Sequence, residues 1–211
     1  MLDDRLVADA VGGSKAALDR LLAALVPRVR AMVVTRLSGS PGCGATTEEL
    51  TQNALIALSD GISRLERPTV NGLNAFLSGI VSHKVRDAFR GAPPAGGGVA
   101  SLDTQVLGGS SIGPLWRTIA GRDPTPSGQA AAEELQNRLL EQLGRMNPRH
   151  REVIILSIVD RLDTEAIAER MDLSRQAASM LLLRAIESLK KRLADGDRDG
   201  DEREEDGGAA I

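Results

Sequence analysis

The sequence predicts an all-α protein made of two small helical domains joined by a flexible linker. Aromatic residues make up only 1% of the 211-residue chain, and tyrosine is absent. A β-sandwich or β-barrel is built from aromatic and β-branched strands, so this composition argues against either. Alanine, leucine, arginine and glutamate, which are strong helix formers, dominate instead. With 42% hydrophobic residues, the chain has enough apolar material to bury helix faces against one another.

A change in composition after Arg90 divides the chain into two helical regions. Eight glycines and five prolines lie between residues 91 and 127, and such a segment cannot hold a long helix. We therefore expect two domains that do not form one rigid core. The predicted divisions are a helical domain over residues 1–90, a linker with the only tryptophan (Trp116) over 91–127, a second helical domain over 128–194 and an acidic disordered tail over 195–211.

Four helices are predicted in the first region from apolar residues at helical spacing and from recognisable capping residues. They run from Asp3 to Val11, from the Ser14 cap to Leu37 with a kink or restart at Pro27, from a capping box of Thr46 and Glu49 to about Asp60, and from the Asn71 cap to about Phe89. Phe76 and Phe89 fall on the apolar face of the last helix, so we expect both in the core.

The second region predicts a helix-turn-helix. A helix over Gln129 to Leu143 is followed by Asn147 and Pro148, a cap and a first-turn proline, which open a helix to about Val159. A short helix then begins at Asp163 or Thr164, and Ser174 caps a last helix to about Leu193. A short helix, a tight turn and a longer helix with a polar start are typical of a motif whose second helix enters the DNA major groove.

Segments of both regions resemble the sigma-70 family of transcription factors, especially the small extracytoplasmic-function group. Residues 48–58 and 75–90 resemble region 2 of that family, and residues 143–154 and 164–171 resemble region 4. The order and spacing of the segments also match, and the resemblance covers approximately residues 4–90 and 128–193. An opening such as the one at 147–153 also precedes the helix-turn-helix of other bacterial activators, so the pairing of two regions makes the resemblance specific.

The resemblance implies a promoter-specificity subunit that directs transcription initiation and has no catalytic chemistry of its own. The expected partners are core RNA polymerase, through its beta-prime clamp helices and beta flap, promoter DNA, and an anti-sigma protein as a further candidate. Glu49, Gln52 and Asn53 correspond to the polymerase-binding helix, although the family usually has an acid at the position of Asn53. An exposed acid and amide there can pair with arginines of the clamp helices.

The DNA-binding residues implied by the resemblance fall in three places. Arg67 and Asn71 correspond to a loop that captures separated promoter DNA, and an ordinary connector is the alternative for that loop. Cations on the fourth helix suit phosphate contacts, whereas His83 and Asp87, at i and i+4, suit a local pair. The full set is Arg67, Asn71, His83, Lys84, Arg86, Asp87, Arg90, Arg175, Gln176, Ser179 and Arg184.

The recognition helix departs from the family pattern at Leu181 and Leu183, where polar or basic residues are usual. Residues two apart lie about 200° apart on a helix, so one of these leucines should be packed and the other exposed. This helix is therefore expected either to read DNA weakly or to meet a protein with its exposed leucine.

The residue types present argue against an enzyme, a metal-binding protein and a membrane protein, and they leave one alternative regulator open. One cysteine, Cys43, allows no internal disulfide, and His83 and His150 are too far apart for a zinc motif, so no metal, cofactor or catalytic site is expected. No signal peptide or membrane span is apparent, which predicts a cytoplasmic protein. The alternative function is a non-sigma helix-turn-helix regulator whose N-terminal bundle binds protein; only the sigma function requires binding to core polymerase.

Charge is distributed unevenly along the chain. The net charge is -3, but residues 195–211 carry eight acids against two arginines, so the remaining body is +3. Neither helical region is strongly basic, and DNA binding must depend on local placement of cations. The tail is expected to be a solubilising end, with a DNA-mimicking autoinhibitory arm as the alternative.

Overall fold

The computed structural model describes residues 2–37, 43–91 and 129–205, which form α-helices joined by short turns, with no strand in these ranges. The helices are α1 (Asp4–Val11), α2 (Lys15–Leu37), α3 (Thr47–Gly61), α4 (Val70–Gly91), α5 (Gln129–Gly144), α6 (Pro148–Ile154), α7 (Thr164–Met171) and α8 (Arg175–Glu205). The predicted all-α fold is confirmed. The linker between 91 and 127, with Trp116, lies outside the described residues except for Gly91, which ends α4.

Most helix starts follow the caps that the sequence indicates. The side chains of Asp3 and Ser14 accept hydrogen bonds from the backbone at the starts of α1 and α2. Thr46 and Glu49 form the expected capping box at the start of α3. Helix α2 continues through Pro27 as one helix, so it does not restart there. These ends depend on hydrogen bonds between residues within three positions of each other, which is why the sequence predicts them.

The start of α4 differs from the expectation that Asn71 is its cap. Thr69 occupies that place, because its hydroxyl oxygen accepts a hydrogen bond from the backbone N–H of Gly72 at 3.1 Å. Asp4 of α1 accepts a second bond from the backbone N–H of Val70 at 2.7 Å. A carboxylate 66 residues away therefore satisfies part of this helix end, and Asn71 lies within the first turn as an exposed residue.

The C-terminal half contains the expected helix-turn-helix. Asn147 caps α6, whose last turn widens into a π-helix over Ile155–Val159. Asp163 caps α7, and Asp172 ends it with φ of 54°, a left-handed conformation that aspartate tolerates better than most residues. The tight turn that follows brings α8 against α7. The motif therefore has the order and connection that the sequence predicts.

Helix α8 is longer than expected. The sequence predicts an end near Leu193, whereas the helix continues to Glu205 and includes the first eleven residues of the expected disordered tail. Extending an existing helix costs less than starting one, so a short acidic segment with helix-forming glutamates can continue it. Residues 206–211 lie outside the described range.

Two hydrophobic clusters form the interior of the described residues. Each cluster includes buried residues from the other half of the chain. Helices α1 to α4 surround the first cluster, but Ile155 and Val159 of the π-helix are buried in it. Helices α5 to α8 surround the second, to which α2 contributes the buried Val34. The two halves thus pack directly against each other, contrary to the expectation that the Gly/Pro-rich segment keeps them as separate bodies. No helix in the described parts of the chain is long and apolar enough to cross a membrane.

Candidate nucleic-acid and polymerase interface

The start of α8 presents polar side chains to solvent. Ser174 caps the helix, because its Oγ accepts a hydrogen bond from the backbone N–H of Ala177 at 3.1 Å. Arg175, Gln176 and Ser179 are exposed in the first turns, and Arg184 is exposed further along. The buried Ala178 holds this part of the helix on the second core. The arrangement leaves amide, hydroxyl and guanidinium groups exposed at the start of the second helix of the helix-turn-helix, the helix that such motifs place in the major groove.

Leu181 and Leu183 of the same helix lie in different environments, as helical geometry requires. Leu181 is half-buried and packs against the second hydrophobic cluster. Leu183 is 57% exposed, and Met180 beside it is 45% exposed. The prediction that one leucine is packed and the other exposed is confirmed. Two apolar side chains therefore lie on the surface among the polar residues of the recognition helix.

The last two turns of α4 carry an exposed polar face. His83, Arg86, Asp87 and Arg90 are exposed at helical spacing, while Lys84 is half-buried. His83 Nδ1 lies 2.8 Å from Asp87 Oδ2, so the local pair expected from the i and i+4 spacing is present. This pair leaves the two arginines as the side chains best suited to phosphate. Phe76 and Phe89 are half-buried against the first cluster, which agrees with their expected place in the core.

The loop before α4 faces the helix-turn-helix half. Arg67 and Asn71 line a cavity of about 700 Å³, together with Asp163, Glu165 and Glu169 of the other half. The backbone of this loop comes so close to Gly72 that a Cβ there would lie 2.2 Å from the carbonyl oxygen of Arg67. Two of the expected DNA-binding residues are therefore held opposite carboxylates from α7 and its cap. The sequence gives no sign of this juxtaposition.

Helix α3 presents the expected polymerase-binding residues on one exposed face. Glu49, Gln52 and Asn53 are all exposed, and Ile56, one turn further, is 58% exposed. Glu49 Oε2 also accepts hydrogen bonds from the backbone N–H and the hydroxyl of Thr46. The backbone bond, followed by the hydroxyl bond, lowers the pKa of the Glu49 carboxyl. Sequence reasoning missed Ile56, although its position seven residues after Glu49 places it on this face.

A buried polar cluster joins the two halves, and sequence reasoning missed it entirely. The Asp160 side chain has no exposed surface. Its Oδ1 accepts a hydrogen bond from Arg36 Nη1 at 3.0 Å, and its Oδ2 accepts bonds from Arg36 Nη2 and from Ser78 Oγ, both at 2.5 Å. Arg36 and Ser78 belong to α2 and α4, so this carboxylate bonds to two helices of the N-terminal half.

Arg28 extends the cluster from α2. Its guanidinium donates to the backbone carbonyl of Asp160 and, at 2.6 Å, to Asn74 Oδ1. Asn74 in turn donates to the carbonyl oxygen of Arg161 at 3.2 Å. Burial, followed by repulsion from Arg161, lowers the pKa of Arg28 to about 10, and Asp160 opposes that decrease. Arg28 therefore remains a cation at neutral pH and compensates part of the buried negative charge.

The π-helical turn places Asp160 at this point. The backbone N–H of Asp160 donates to the carbonyl oxygen of Ile155, closing the wide turn at 2.9 Å. Arg161 follows with φ of 58°, a left-handed conformation that is uncommon for residues other than glycine. Such π turns are rare and are often found at functional sites. In the described ranges, no three His, Cys, Asp or Glu side chains come together in a way that would hold a metal ion.

Comparisons with known proteins agree with this geometry. Residues 142–191, which contain the helix-turn-helix, match the family described as sigma-70, region 4. The ECF RNA polymerase sigma factor SigD of Mycobacterium tuberculosis and that of Mycobacterium bovis are each 27% identical over 190 residues, spanning 90% of this chain and 83% of the relative. Among solved structures, CnrH in complex with the cytosolic domain of CnrY matches with a TM-score of 0.55 at 20% identity, covering 92% of this chain and 98% of CnrH.

The three matches cover different parts of the chain. The region 4 match covers the motif that carries Arg175, Gln176 and Ser179. The SigD similarity extends over both halves, and the CnrH similarity shows that the whole described chain has the same fold as that protein. The C-terminal half therefore carries a segment similar to sigma-70 region 4, and the chain as a whole is similar in sequence to an extracytoplasmic-function sigma factor.

Proposed function

We propose that this chain is a sigma factor, which binds core RNA polymerase in the cytoplasm and directs transcription initiation by recognising and helping to open promoter DNA. The start of α8 reads the upstream duplex element, while the loop carrying Arg67 and Asn71 and the polar face of α4 contact the separated strand. Residues 1–90 and 128–194 are the two promoter-binding units, and the Gly/Pro-rich segment connects them.

The observation that carries this proposal is the polar start of α8 within the residues matching region 4. Arg175 and Gln176 are exposed directly after the Ser174 cap, on a helix anchored by the buried Ala178. Such side chains form two hydrogen bonds with a guanine or an adenine in the major groove. Phosphates, by contrast, are available to any cation and give no sequence preference.

The exposed face of α3 supports the polymerase contact. Glu49, Gln52, Asn53 and Ile56 form one surface of a carboxylate, two amides and an apolar side chain. An apolar residue flanked by polar groups suits a protein partner better than a nucleic acid, because no phosphate would bind beside a carboxylate. Arginines on a polymerase helix would pair with the acid and the amides.

An anti-sigma protein is a further proposed partner. The related fold of CnrH is seen in complex with the cytosolic domain of CnrY, so a fold of this kind accommodates a bound protein. The exposed Met180 and Leu183 of α8 offer an apolar surface for such a contact.

Run-off transcription with purified core polymerase over a library of genomic promoters tests the function. A sigma factor gives transcripts from a defined subset of promoters and co-elutes with core polymerase. A regulator that acts only through its helix-turn-helix retains DNA binding but does not associate with the core enzyme, and that result would contradict the proposal.

A variant on the exposed face of α3 tests whether that face binds core polymerase. Glu49→Gln keeps the capping box, because glutamine also serves at that position, but removes the charge, so core binding should weaken by about tenfold. Asp9→Asn, which removes an exposed charge from α1, is the matched control.

The double variant Arg175→Ala with Gln176→Ala should reduce discrimination between upstream promoter sequences without weakening binding to core polymerase. Arg20→Ala, which removes an exposed arginine from α2, is its control.

A further inference from the structure

One long-range hydrogen bond reaches the loop that the proposed function assigns to separated promoter DNA. Residues 66–72, which end in the first turn of α4, carry Arg67 and Asn71, and we call this segment the capture loop. The Asp4 side chain of α1 accepts a hydrogen bond from the backbone N–H of Val70 at 2.7 Å, across 66 residues of sequence. A carboxylate of the first helix therefore holds the point where the capture loop becomes α4.

Local bonds determine the internal shape of the capture loop. The backbone N–H of Thr69 donates to the carbonyl oxygen of Arg67 at 2.8 Å, and the Thr69 hydroxyl accepts from the backbone N–H of Gly72 at 3.1 Å. A bond between residues two apart is that of a γ-turn, and the ring of Pro68 restricts φ at its centre. These bonds act within three residues, whereas the bond from Asp4 ties the resulting shape to another helix.

Helix α1 gives this bond a firm support. Val7 is fully buried in the first hydrophobic cluster, which also contains Leu65 and Leu73 on either side of the capture loop. Asp3 caps α1 through a backbone hydrogen bond in the first turn. Asp4 lies three residues before Val7, so less than one helical turn separates it from a core anchor. The Asp4 side chain itself is exposed and contributes little to stability, so its main effect is on the position of the backbone that it holds.

Recognition of a base taken out of the stack requires polar partners at defined positions, because a small displacement spoils their hydrogen-bond geometry. We propose that Asp4 is a positioning residue for base recognition: its bond to Val70 holds the capture loop so that Arg67 and Asn71 discriminate between bases of the separated strand. The inference rests on the proposed function, because it assumes that the capture loop contacts DNA. Without Asp4, the loop still meets the strand but accepts different bases more equally.

Amide hydrogen exchange followed by NMR tests the bond in the isolated full chain. Asp4→Ala removes the acceptor, so the Val70 amide should exchange about fivefold faster. Asp4→Asn removes the same charge but keeps an acceptor oxygen, so exchange should stay within about twofold of that in the unmodified chain. Asp9→Ala removes an exposed carboxylate from the same helix and is the control, which should leave the Val70 amide unchanged.

Transcription with core polymerase tests base recognition. Starting from a promoter that the unmodified chain uses, a set of promoters carries each possible base at every position of the opened element. For Asp4→Ala, the ratio of transcript between the best and the worst base should fall about fivefold at a position of that element. The ratio should be unchanged for Asp4→Asn and Asp9→Ala. Discrimination at the upstream element should be the same in all variants, because α8 reads it.

Each result decides a separate part of the proposal. An unchanged Val70 exchange rate in Asp4→Ala would overturn the bond. Transcript lost equally from every promoter of the set, with the ratios preserved, would mean a merely structural role and would overturn base positioning. Equal loss of discrimination in Asp4→Asn and Asp4→Ala would also overturn it, since the first variant keeps the acceptor.

The two measurements also separate this inference from the proposed function. Absence of any transcript from the unmodified chain with core polymerase would contradict the proposed function and the base recognition that rests on it. Amide exchange in the isolated chain would still decide whether Asp4 holds the capture loop.

Discussion

Gly72 lies in the first turn of α4, against the backbone of the loop that carries Arg67. A Cβ at this position would be 2.2 Å from the Arg67 carbonyl oxygen and 3.1 Å from the Arg67 Cβ. Backbone cannot yield as a flexible side chain can, so glycine is required here by a close approach rather than by an unusual φ. This contact fixes the position of the loop whose Arg67 lines the cavity shared with residues of α7.

Gly72→Ala should therefore displace the loop and destabilise the protein by about 1–3 kcal/mol, because it forces a small-to-large change into a packed site. Urea unfolding followed by circular dichroism measures the free energy of unfolding. Gly79→Ala is the control in the same helix, since its Cβ would meet only Arg170 Nη1 at 3.6 Å. That change should leave stability unaltered or raise it by up to about 1 kcal/mol through helix propensity. Equal losses in both variants would contradict the close-approach argument.

At the scale of single helices, the contribution of the α3 capping box to the stability of the folded protein depends on pH. The hydrogen bonds from Thr46 lower the pKa of Glu49 below its value in the unfolded chain, so the ionised carboxylate stabilises the folded state. This contribution is fully present above the unfolded value of about 4.5. It is lost as pH falls through the lower folded value.

Glu49→Gln should reveal that dependence, because the amide preserves the cap but does not titrate in this range. The urea midpoint of the unmodified chain should exceed that of the variant at pH values above the unfolded pKa, and the difference should disappear in more acidic solution. Thr46→Ala, which removes the reciprocal cap, should cost about 1 kcal/mol at neutral pH. A difference between the unmodified chain and Glu49→Gln that does not change with pH would be inconsistent with this role.

Helix α8 supports a second prediction at this scale. Leu181→Ala removes a side chain packed on the second cluster and should cost about 1–3 kcal/mol of unfolding free energy. Leu183→Ala changes a side chain that is 57% exposed and should stay within about 0.5 kcal/mol of the unmodified protein. Chemical denaturation measures the free energy of unfolding of both variants. A larger decrease for Leu183→Ala than for Leu181→Ala would contradict the packing of Leu181 and the exposure of Leu183.

At the scale of the whole molecule, the two halves share buried apolar and polar groups. Val34 is buried among the C-terminal helices, while Ile155 and Val159 are buried among the N-terminal helices. The Asp160 bonds cross the same surface. These contacts do not depend on continuity of the chain between the halves.

Cutting the chain at a protease site introduced at Gly97 should therefore leave the two fragments associated. Size-exclusion chromatography of the cut protein should give one peak that contains both fragments. Val159→Asp places a carboxylate in the apolar part of the contact and should separate them. Immediate separation of the fragments without that substitution would mean that the contact depends on the covalent connection.

The sequence by itself determined the helices, most of their ends and the helix-turn-helix. Apolar periodicity and caps such as Ser14, Asn147 and Asp163 act between residues within one or two turns, so they are readable without a fold. The same locality predicted the His83–Asp87 pair and the different environments of Leu181 and Leu183. Residues that belong on one exposed helix face, such as Glu49 and Gln52, were also predictable in this way.

Only the tertiary structure decided how the two halves meet. Asp160 follows a largely apolar segment, and nothing adjacent to it indicates that its carboxylate bonds to Arg36 and Ser78 in helices 124 and 82 residues away. The use of Thr69 and Asp4, rather than Asn71, at the start of α4 likewise depends on a contact with a distant helix. Such partners are selected by packing of the complete chain, because burial of a charge is favourable only where several distant groups compensate it together.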